Sequence, residues 1–309
     1  MSGTARSLLS PRCQPGMPEG HTPHRIAADL RERFAGQRVE VSSPQGRFAE
    51  SAAILSGPDA VGPVLVGAES FGKHLFVEFD GDRFVHVHLG LYGTFQVGHG
   101  PAPEPVGQVR LRIEGRTAYA DLRGAAACEL VTAEQRAGIV ARLGPDPLRA
   151  DADWTRAWQR IHRSRVPIGV LVMDQEVFSG VGNVYRAELL FRHRIDPHRP
   201  GNTLTRARVG RMWADLVELM RAGVATGRID TVRPDHTPEA MGRAPRVDDH
   251  GGEVYVYRRA GLPCLVCGRP IRTEVLAGRN LFWCPGCQPR FRSRRRTTTR
   301  SPPEPAVTR

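Results

Sequence analysis

Four cysteines near the carboxyl end constrain the fold of this chain more than any other feature. They form two pairs, Cys264 with Cys267 and Cys284 with Cys287, and 16 residues separate the pairs. Each Cys-x-x-Cys spacing suits a tight turn that points two thiolates at one ion. Two such turns at the ends of a hairpin give the tetrahedral four-sulfur site that structural zinc prefers. The spacing therefore favours one Zn²⁺ ion in a closed, non-catalytic site, with an iron–sulfur cluster or disulfides as the alternatives.

Arginine dominates the charge of the chain. Its 44 basic residues outnumber 32 acidic ones, which gives a net charge of +12 and an isoelectric point of about 10.4. Such an excess favours a polyanionic partner, most often nucleic acid, over a merely solvated arginine-rich surface. Lys73 is the only lysine. Because an ammonium is a compact charge that can lose its proton, Lys73 is a candidate for a chemical role, and a chance survivor is the alternative.

The remaining composition limits the class of protein. Hydrophobic residues make up 40% and charged residues 25% of the chain, which is ordinary for a soluble globular protein. We find no apolar run long enough for a membrane span, and residues 1–16 are too polar for a secretory signal. Disulfides are therefore not expected. Residues 1–17 are predicted to be disordered or to lie upstream of the true start.

The spacing of apolar residues divides the chain into two regions. Helical spacing over 22–35 is followed, from 38 to about 131, by short alternating runs between glycines and prolines, which is typical of an antiparallel sandwich or barrel. From Thr132 the spacing becomes helical, and Val254–Tyr257 is predicted as a strand. The chain is thus predicted to be α+β, with these segments: a disordered extension or mis-assigned start (1–17), a β-sandwich domain (18–145), a helical domain with a loop from about 226 (146–253), a zinc finger (254–290) and a disordered basic tail (291–309).

The segment Met17-Pro18-Glu19-Gly20 carries a candidate nucleophile. Removal of Met17 would leave Pro18 with a free secondary amine. A terminal amine has a pKa of about 7.7–8.0, against about 10.4 for lysine, so about a hundredfold more of it is neutral and nucleophilic at neutral pH. Glu19 places a carboxylate beside that amine for proton transfer. We therefore expect Pro18 to be the first residue of the working protein.

Two further segments have the composition of anion-binding sites. Gly180-Val181-Gly182-Asn183 precedes a predicted helix, where backbone N–H groups and the Asn183 amide can meet a phosphate, and a simply capped helix is the alternative. Arg279 lies at the predicted turn of the hairpin between the cysteine pairs, where its guanidinium would meet a phosphate or remain solvated. His86 and His88 share a strand face, but we find no third ligand, so packing is favoured over metal binding.

Taken together, six segments resemble the formamidopyrimidine-DNA glycosylase/endonuclease VIII family, over about Pro18 to Gln288. The resemblance is closer to the endonuclease VIII branch, in its actinobacterial type. It implies an N-terminal antiparallel β-sandwich with flanking helices, then a helix–two-turn–helix domain and a four-cysteine zinc finger. The segments are Pro18-Glu19-Gly20, Gly72-Lys73, His88–Gly93, Leu143–Leu148, Gly180–Tyr185 and the cysteine finger with Arg279.

The resemblance implies a function in base excision repair. Damaged DNA would lie in the cleft between the domains, and Pro18 would attack the deoxyribose C1′ to form a Schiff base. Glu19 would open the sugar and move protons, and β- and then δ-elimination would cut the strand. The protein would act as a bifunctional DNA glycosylase and abasic-site lyase. We expect a monomer in the bacterial cytoplasm, associated with the nucleoid through DNA.

Further residues receive roles from the same resemblance. Lys73, Asn183 and Arg279 would hold the phosphates on either side of the flipped nucleotide, and Lys73 and Arg279 also count as catalytic residues. Base extrusion is needed because C1′ is inaccessible in the intact stack. Leu91 and Tyr92 would fill the space that the extruded nucleotide leaves.

Oxidised pyrimidines are the expected substrates. The segment Asp121–Ala126 keeps Arg123 as a candidate contact to DNA on the opposite strand, but it has Ala125 where the formamidopyrimidine branch carries a phenylalanine. This departure argues against specificity for 8-oxoguanine.

The position of Pro18 in the chain as written is a second departure from the family. Its nitrogen is an amide there and cannot form a Schiff base, so translation from Met17 or removal of residues 1–17 is expected. One alternative is a catalytically silent protein that binds damaged DNA, its terminus blocked by residues 1–17. Another is a zinc-ribbon factor that binds undamaged nucleic acid, including RNA.

Overall fold

The computed structural model describes residues 18–58, 61–247 and 252–292. The predicted extension at 1–17 and nearly all of the predicted tail lie outside the described residues. The helices are α1 (His21–Phe34), α2 (Ala49–Ser56), α3 (Ala133–Ala141), α4 (Trp154–Arg163), α5 (Ile168–Leu171), α6 (Asn183–Arg192), α7 (Arg206–Thr226) and α8 (Pro238–Met241). The strands are β1 (Gln37–Arg38), β2 (Glu40–Ser42), β3 (Val64–Phe71), β4 (His74–Phe79), β5 (Arg83–His88), β6 (Thr94–His99), β7 (Val109–Glu114), β8 (Ala118–Arg123), β9 (Ala127–Thr132), β10 (Arg272–Leu276) and β11 (Arg279–Trp283).

The amino-terminal half is a sandwich of two antiparallel sheets. One sheet has the strand order β1-β3-β4-β5-β9 and the other β2-β7-β8-β6. Alternation sends Leu75 and Val77 into the core between the sheets, whereas Phe76 points to the opposite face. There Phe76 packs with residues of α3, including Ile139. The predicted α+β class and the antiparallel sandwich are confirmed.

Local sequence signals explain where this half ends. The side chain of Thr132 accepts a hydrogen bond from the backbone N–H of Gln135, and the side-chain oxygen of Gln135 accepts one from the backbone N–H of Thr132. This capping box stops β9 and starts α3, because it satisfies N–H groups that the first helical turn leaves free. The helix begins where the change in apolar spacing predicted it.

The carboxyl-terminal half has one continuous core. Buried residues of α4, α5, α6 and α7 pack together with Tyr255, Tyr257 and three of the four cysteines. Helix α6 also contacts β11, so the finger hairpin lies against the helical domain. Among the described residues, no helix combines the length and apolar character needed to span a bilayer. The predicted domain boundaries stay predictions.

The predicted strand at Val254–Tyr257 is wrong. The backbone N–H groups of Tyr255, Val256 and Tyr257 all donate to the buried carboxylate of Glu188 on α6. A pleated strand alternates the direction of successive N–H groups, so three consecutive ones cannot converge on one acceptor within a ladder. The apolar run therefore reflects burial beneath α6.

Two helical segments were not predicted. Helix α2 buries only Ala52 and Leu55, so its apolar signal is short. Helix α8 lies within the predicted loop from 226 to 253, where the side chain of Thr237 caps it by accepting from the backbone of Ala240. Short helices of this kind depend on caps and neighbours more than on an apolar stripe.

Candidate active site

The Glu19 side chain is held at the amino terminus of α6. Its carboxylate accepts hydrogen bonds from the backbone N–H groups of Gly182 (3.0 Å), Val184 (2.7 Å) and Tyr185 (3.2 Å), and the residue is 0% exposed. Those N–H groups have no partner within the helix, and the helix dipole favours a negative charge there. A Cβ on Gly182 would lie 2.5 Å from Cδ of Glu19. Glycine at this position is therefore what allows the carboxylate to approach.

Opposed effects act on the pKa of Glu19. Burial raises the pKa, while the positive charge of Lys73 and the three N–H donors oppose that rise. Burial in turn lowers the pKa of Lys73, with Glu19 opposing this and Arg279 adding to it. Residues far apart in sequence thus share one electrostatic environment. A carboxyl with a raised pKa and an amine with a lowered pKa, within electrostatic range of each other, are suited to proton transfer.

A close contact between glycines joins the two halves of the chain beside Glu19. The N–H of Gly20 donates to the carbonyl of Gly180 at 2.8 Å, and a Cβ on Gly20 would lie 2.8 Å from Cα of Gly180. Gly72 has φ of +59°, and a Cβ there would lie 2.0 Å from Oγ of Ser179. Only glycine fits these positions without displacing backbone.

Asp146 fixes the turn that carries Lys73. Its carboxylate accepts hydrogen bonds from the backbone N–H of Gly72 at 2.6 Å and from that of Leu148 at 2.9 Å, and it contacts Nε2 of His24 at 2.8 Å. Asp146 lies in one of the six segments that carry the family resemblance, but no role was predicted for it. The aspartate between two prolines was the available signal, because a buried carboxylate needs donors.

The finger meets α6 at Asn183. The side-chain amide of Asn183, which is 7% exposed, donates to the carbonyl of Asn280 at 2.9 Å. Arg279 directly follows the hairpin turn at Ala277 and Gly278, both of positive φ, and its side chain is exposed. The predicted turn is therefore present, and it brings Arg279 within electrostatic range of Lys73.

Pro18 is the first described residue, and it is buried next to Glu19. The chain thus places Pro18, Glu19, Lys73, Asn183 and Arg279 around one junction between the β-sandwich, α6 and the finger. The structure brings together every residue that the resemblance assigned to chemistry and phosphate binding. Their roles stay predictions.

The loop between β5 and β6 presents the two predicted wedge residues to solvent. Leu91 is 44% exposed and Tyr92 is 82% exposed. Both side chains are therefore accessible from solvent, and their role as a wedge in DNA stays a prediction. The tight turn requires Gly93, since a Cβ there would lie 2.3 Å from the carbonyl oxygen of Leu89.

Arg123 lies apart from this junction, at the end of β8. Its guanidinium donates to Asp121 at 2.8 Å, to the side chain of Gln96 at 3.1 Å and to the carbonyl of Val106 at 3.1 Å. A contact with the opposite DNA strand stays a prediction, and it would require Arg123 to exchange these partners.

His86 and His88 lie on β5, as predicted. Nε2 of His86 contacts Nδ1 of His74 at 2.9 Å, and Nδ1 of His86 contacts Glu129 at 2.8 Å. His88 lies within 5.1 Å of His74, measured between ring centroids. These histidines are engaged with one another and with Glu129.

The four cysteines form one cluster. All four Sγ atoms lie within 4.8 Å of one another, with 3.8 Å between Cys264 and Cys287 and 3.3 Å between Cys267 and Cys284. Tetrahedral thiolates about 2.3 Å from zinc are about 3.8 Å apart, so the donor set and spacing fit that ion. In the described part of the chain, this is the one such group of histidine, cysteine or acidic side chains.

Two buried charged residues on α6 were not predicted to have a role. Arg186 and Glu188 are 1% and 0% exposed, although the helix around them is apolar. Charged residues are rarely buried without partners, and both contact the segment that carries the finger. Two charges within an otherwise apolar helix were the signal.

Comparison with known families gives three matches in chain order. The family model described as "Formamidopyrimidine-DNA glycosylase N-terminal domain" matches residues 17–128. The "Formamidopyrimidine-DNA glycosylase H2TH domain" matches 143–234, and the "Zinc finger found in FPG and IleRS" matches 261–290.

Two curated relatives illustrate the range of similarity. "Endonuclease 8 1" of Mycobacterium tuberculosis is 54% identical over 279 residues, which cover 88% of this chain and 100% of the relative. "Formamidopyrimidine-DNA glycosylase" of Thermus thermophilus is 31% identical over 288 residues, which cover 89% of this chain and 98% of the relative.

Solved structures show the same fold. The Lactococcus lactis Fpg protein in complex with a DNA containing N7-benzyl-Fapy-dG superposes with a TM-score of 0.70 at 22% identity, covering 88% of this chain and 100% of that chain. The same protein in complex with a DNA containing an oxidised pyrimidine superposes equally, with a TM-score of 0.70 at 21% identity and the same coverage.

Proposed function

The chain belongs to the formamidopyrimidine-DNA glycosylase/endonuclease VIII family, and we propose that it is a bifunctional DNA glycosylase and abasic-site lyase of base excision repair, acting as a monomer. One observation carries this proposal. Glu19 lies buried at the start of α6, next to Pro18 and within electrostatic range of the only lysine. This is an arrangement for moving protons at a covalent intermediate.

The proposed chemistry begins at the nitrogen of Pro18. As a free secondary amine it attacks C1′ of the damaged nucleotide, the bond from C1′ to the base breaks, and the base leaves with a proton. Protonation of O4′ by Glu19 opens the sugar and leaves an iminium at C1′. Loss of a proton from C2′ then expels the 3′ phosphate, and a second elimination expels the 5′ phosphate. Water finally hydrolyses the iminium and returns the amine.

The cations around the junction support the proposed DNA contacts. Among the described residues, the side chains of Lys73 and Arg279 form no hydrogen bond or ion pair with the protein, so both are available to bind phosphates. We propose that the lesion's flanking phosphates are held by Lys73, Asn183 and Arg279. Leu91 and Tyr92, exposed on a glycine-framed turn, would enter the stack when the nucleotide is extruded.

Oxidised pyrimidines are the proposed substrates. The relative with 54% identity is named an endonuclease 8, and Ala125 leaves the loop after β8 without an aromatic side chain. Zn²⁺ would be held by the four cysteines in a structural role, keeping the finger hairpin against α6.

A free Pro18 requires that residues 1–17 be absent from the active protein. The family's N-terminal domain model begins its match at residue 17, which supports translation from Met17 followed by removal of that methionine. Loss of residues 1–17 by cleavage would have the same effect.

The experiment that tests the function measures base release and strand cutting on a set of matched duplexes. They would contain an oxidised thymine, 8-oxoguanine, an abasic site or no lesion, at one stated salt concentration, because phosphate contacts are salt-sensitive and lesion-blind. We expect base release from the oxidised thymine, cutting of abasic DNA and neither on the lesion-free duplex. Equal binding of all four duplexes without base release or cutting would overturn the proposal.

A further inference from the structure

Arg186 is the largest fully buried side chain of the described residues, and its contacts converge on the junction of α6 and the finger. It is 1% exposed and lies one helical turn after Asn183. Its Nη2 donates to the carbonyl of Asn280 at 2.9 Å and to Oδ1 of Asn183, and its Nη1 reaches the carbonyl of Gly169 at 3.4 Å. One guanidinium therefore links α5, α6 and β11.

The contact with Asn183 determines which way that amide faces. An asparagine side chain has one accepting oxygen and one donating nitrogen. Because Arg186 has only donors, Oδ1 of Asn183 must face it, and Nδ2 is directed to the carbonyl of Asn280. Nδ2 keeps a second hydrogen for an outside acceptor. A flipped amide would instead present its oxygen to a phosphate and repel it.

The same guanidinium fixes the start of β11. The carbonyl of Asn280 accepts from both Arg186 and Asn183, and Asn280 directly follows Arg279 in the chain. Because the backbone position of Asn280 sets where the Arg279 side chain begins, Arg186 couples the two DNA-facing donors. A shift of the hairpin would separate them.

Burial of this cation is costly, which argues that it is not there for packing alone. Burial lowers the pKa of Arg186 to about 10, with Glu19 opposing this and Arg279 adding to it. Its Nε–H is buried and has no hydrogen-bond partner within the described part of the chain. An apolar side chain of similar volume would avoid that cost, and replacing buried ions in this way is often neutral or stabilising.

We propose that Arg186 is a positioning residue, which sets the orientation of the Asn183 amide and the place of Asn280 so that Asn183 and Arg279 donate to DNA phosphate together. The inference rests on the proposed function, since it assigns a role within that phosphate site. It predicts that Arg186 acts through Asn183 rather than through bulk positive charge.

A double-mutant cycle separates these two ways of acting. The variants are R186M, N183A and the double variant, with R221M as a matched control at an exposed arginine on α7. Each is prepared as the full chain from Pro18, with zinc content and thermal midpoint measured. Binding is measured as Kd for a duplex with a tetrahydrofuran abasic analogue and for a lesion-free duplex.

We expect R186M to weaken binding by about tenfold to a hundredfold, the range of one charge-assisted hydrogen bond. In the N183A background the same change should weaken binding less than about threefold, because the residue it positions is gone. R186K keeps the positive charge but lacks the planar guanidinium, so it should recover only a small part of the DNA affinity that R186M loses. R221M should bind as the parent does. The rate of borohydride trapping at saturating abasic DNA should change little in R186M, since positioning affects binding and not the reacting amine.

If R186M weakened DNA binding equally in the parent and in the N183A background, the positioning role would be overturned. Arg186 would then act through its charge or through folding in general. Unchanged binding by R186M would overturn it as well. If R186M does not fold, R186K provides the cycle with the charge retained. A parent that shows no preference for the abasic analogue and no trapping would contradict the proposed function instead. In that case the double-mutant cycle, measured as Kd for the lesion-free duplex, still tests whether Arg186 acts through Asn183. This is because both duplexes contain the same phosphates.

Discussion

Two buried carboxylates, one at the start of α6 and one in its middle, have similar hydrogen bonding but different charged neighbours. Glu19 accepts from the backbone of Gly182, Val184 and Tyr185 and joins the β-sandwich to the helix. Glu188 accepts from three consecutive backbone N–H groups at 255–257 and from the hydroxyl of Thr231, and it joins the helix to the segment before the finger. Both residues are 0% exposed.

The difference lies in what the neighbouring cations can do. Glu19 interacts with Lys73, an amine that can release its proton and whose pKa is lowered by burial, and it follows Pro18 directly. Glu188 interacts instead with guanidinium groups, among them that of Arg259, which stay protonated. Satisfied hydrogen bonds and a nearby cation alone therefore do not mark a group for proton transfer. An amine that can lose its proton, close to a candidate nucleophile, does.

The strongest test of this contrast is Glu19→Gln, the largest effect we expect. The amide keeps the shape but cannot exchange protons, so the rate of strand cutting on abasic DNA should fall by about 10²–10⁴-fold, the usual contribution of a general acid and base. Single-turnover kinetics with saturating enzyme measure this rate. A loss of less than about tenfold would contradict a role for Glu19 in proton transfer.

The matched change, Glu188→Gln, should act on stability instead. It weakens hydrogen bonds to a buried charged acceptor, which contribute about 1.5–3 kcal/mol each to the free energy of unfolding. Urea denaturation of the zinc-loaded protein measures the loss, and single-turnover cutting at a temperature where the variant is folded should remain within about threefold of the parent. If the cutting rate of Glu188→Gln fell as far as that of Glu19→Gln, the proposed division between proton transfer at Glu19 and stability at Glu188 would be wrong.

The pH dependence of stability tests the surroundings of Glu19 at the start of α6, because a buried histidine lies there. His21 packs edge-on against Tyr185, and its burial, with Arg25 and His24, lowers its pKa to about 4. An unfolded chain has a histidine pKa of about 6.5, so the unfolded form binds the proton first as pH falls. His21 thus contributes stability that is complete above pH about 6.5 and is lost towards pH about 4, by about 1 kcal/mol per pH unit.

Removal of the titrating group reveals that contribution. Between pH 6.5 and 5.5 the free energy of unfolding of His21→Phe should fall by about 1 kcal/mol less than that of the parent, measured by denaturation at each pH. Parallel curves for the two proteins would show that His21 is not held neutral at this junction.

The smallest expected effect comes from Thr231→Val. It removes one of the donors to Glu188, the hydroxyl at 2.6 Å, and leaves the backbone donors in place. We expect a loss of about 1 kcal/mol in the free energy of unfolding and unchanged cutting of abasic DNA. Any selective loss of cutting would show that the surroundings of Glu188 also affect the chemistry.

The parts of the fold that the sequence predicts are those with local causes. The capping box of Thr132 and Gln135 starts α3 where expected, and alternation along β4 and β5 predicts the sandwich. The cysteine spacing predicts the cluster, because the turn geometry is encoded within four residues of each pair. Such signals need no knowledge of distant neighbours.

The parts that could not be predicted depend on contacts across the chain. Apolar residues at 254–257 suggest a strand, but their N–H groups turn towards Glu188, about 67 residues away in sequence. Asn183 is predicted from its sequence context to start a helix, yet only the fold shows its amide between Arg186 and Asn280. Periodicity reports which residues are buried and not what they are buried against.

The central claim is that the nitrogen of Pro18 becomes bonded to the sugar of a damaged nucleotide. The most direct measurement is borohydride reduction during reaction with abasic DNA, followed by peptide mass mapping, on chains that begin at Pro18 and at Met1. We predict a stable adduct on the amino-terminal peptide, at Pro18, for the shorter chain and none for the longer chain when its amino terminus is intact. An adduct of equal yield on both chains, or one located at Lys73, would contradict the account.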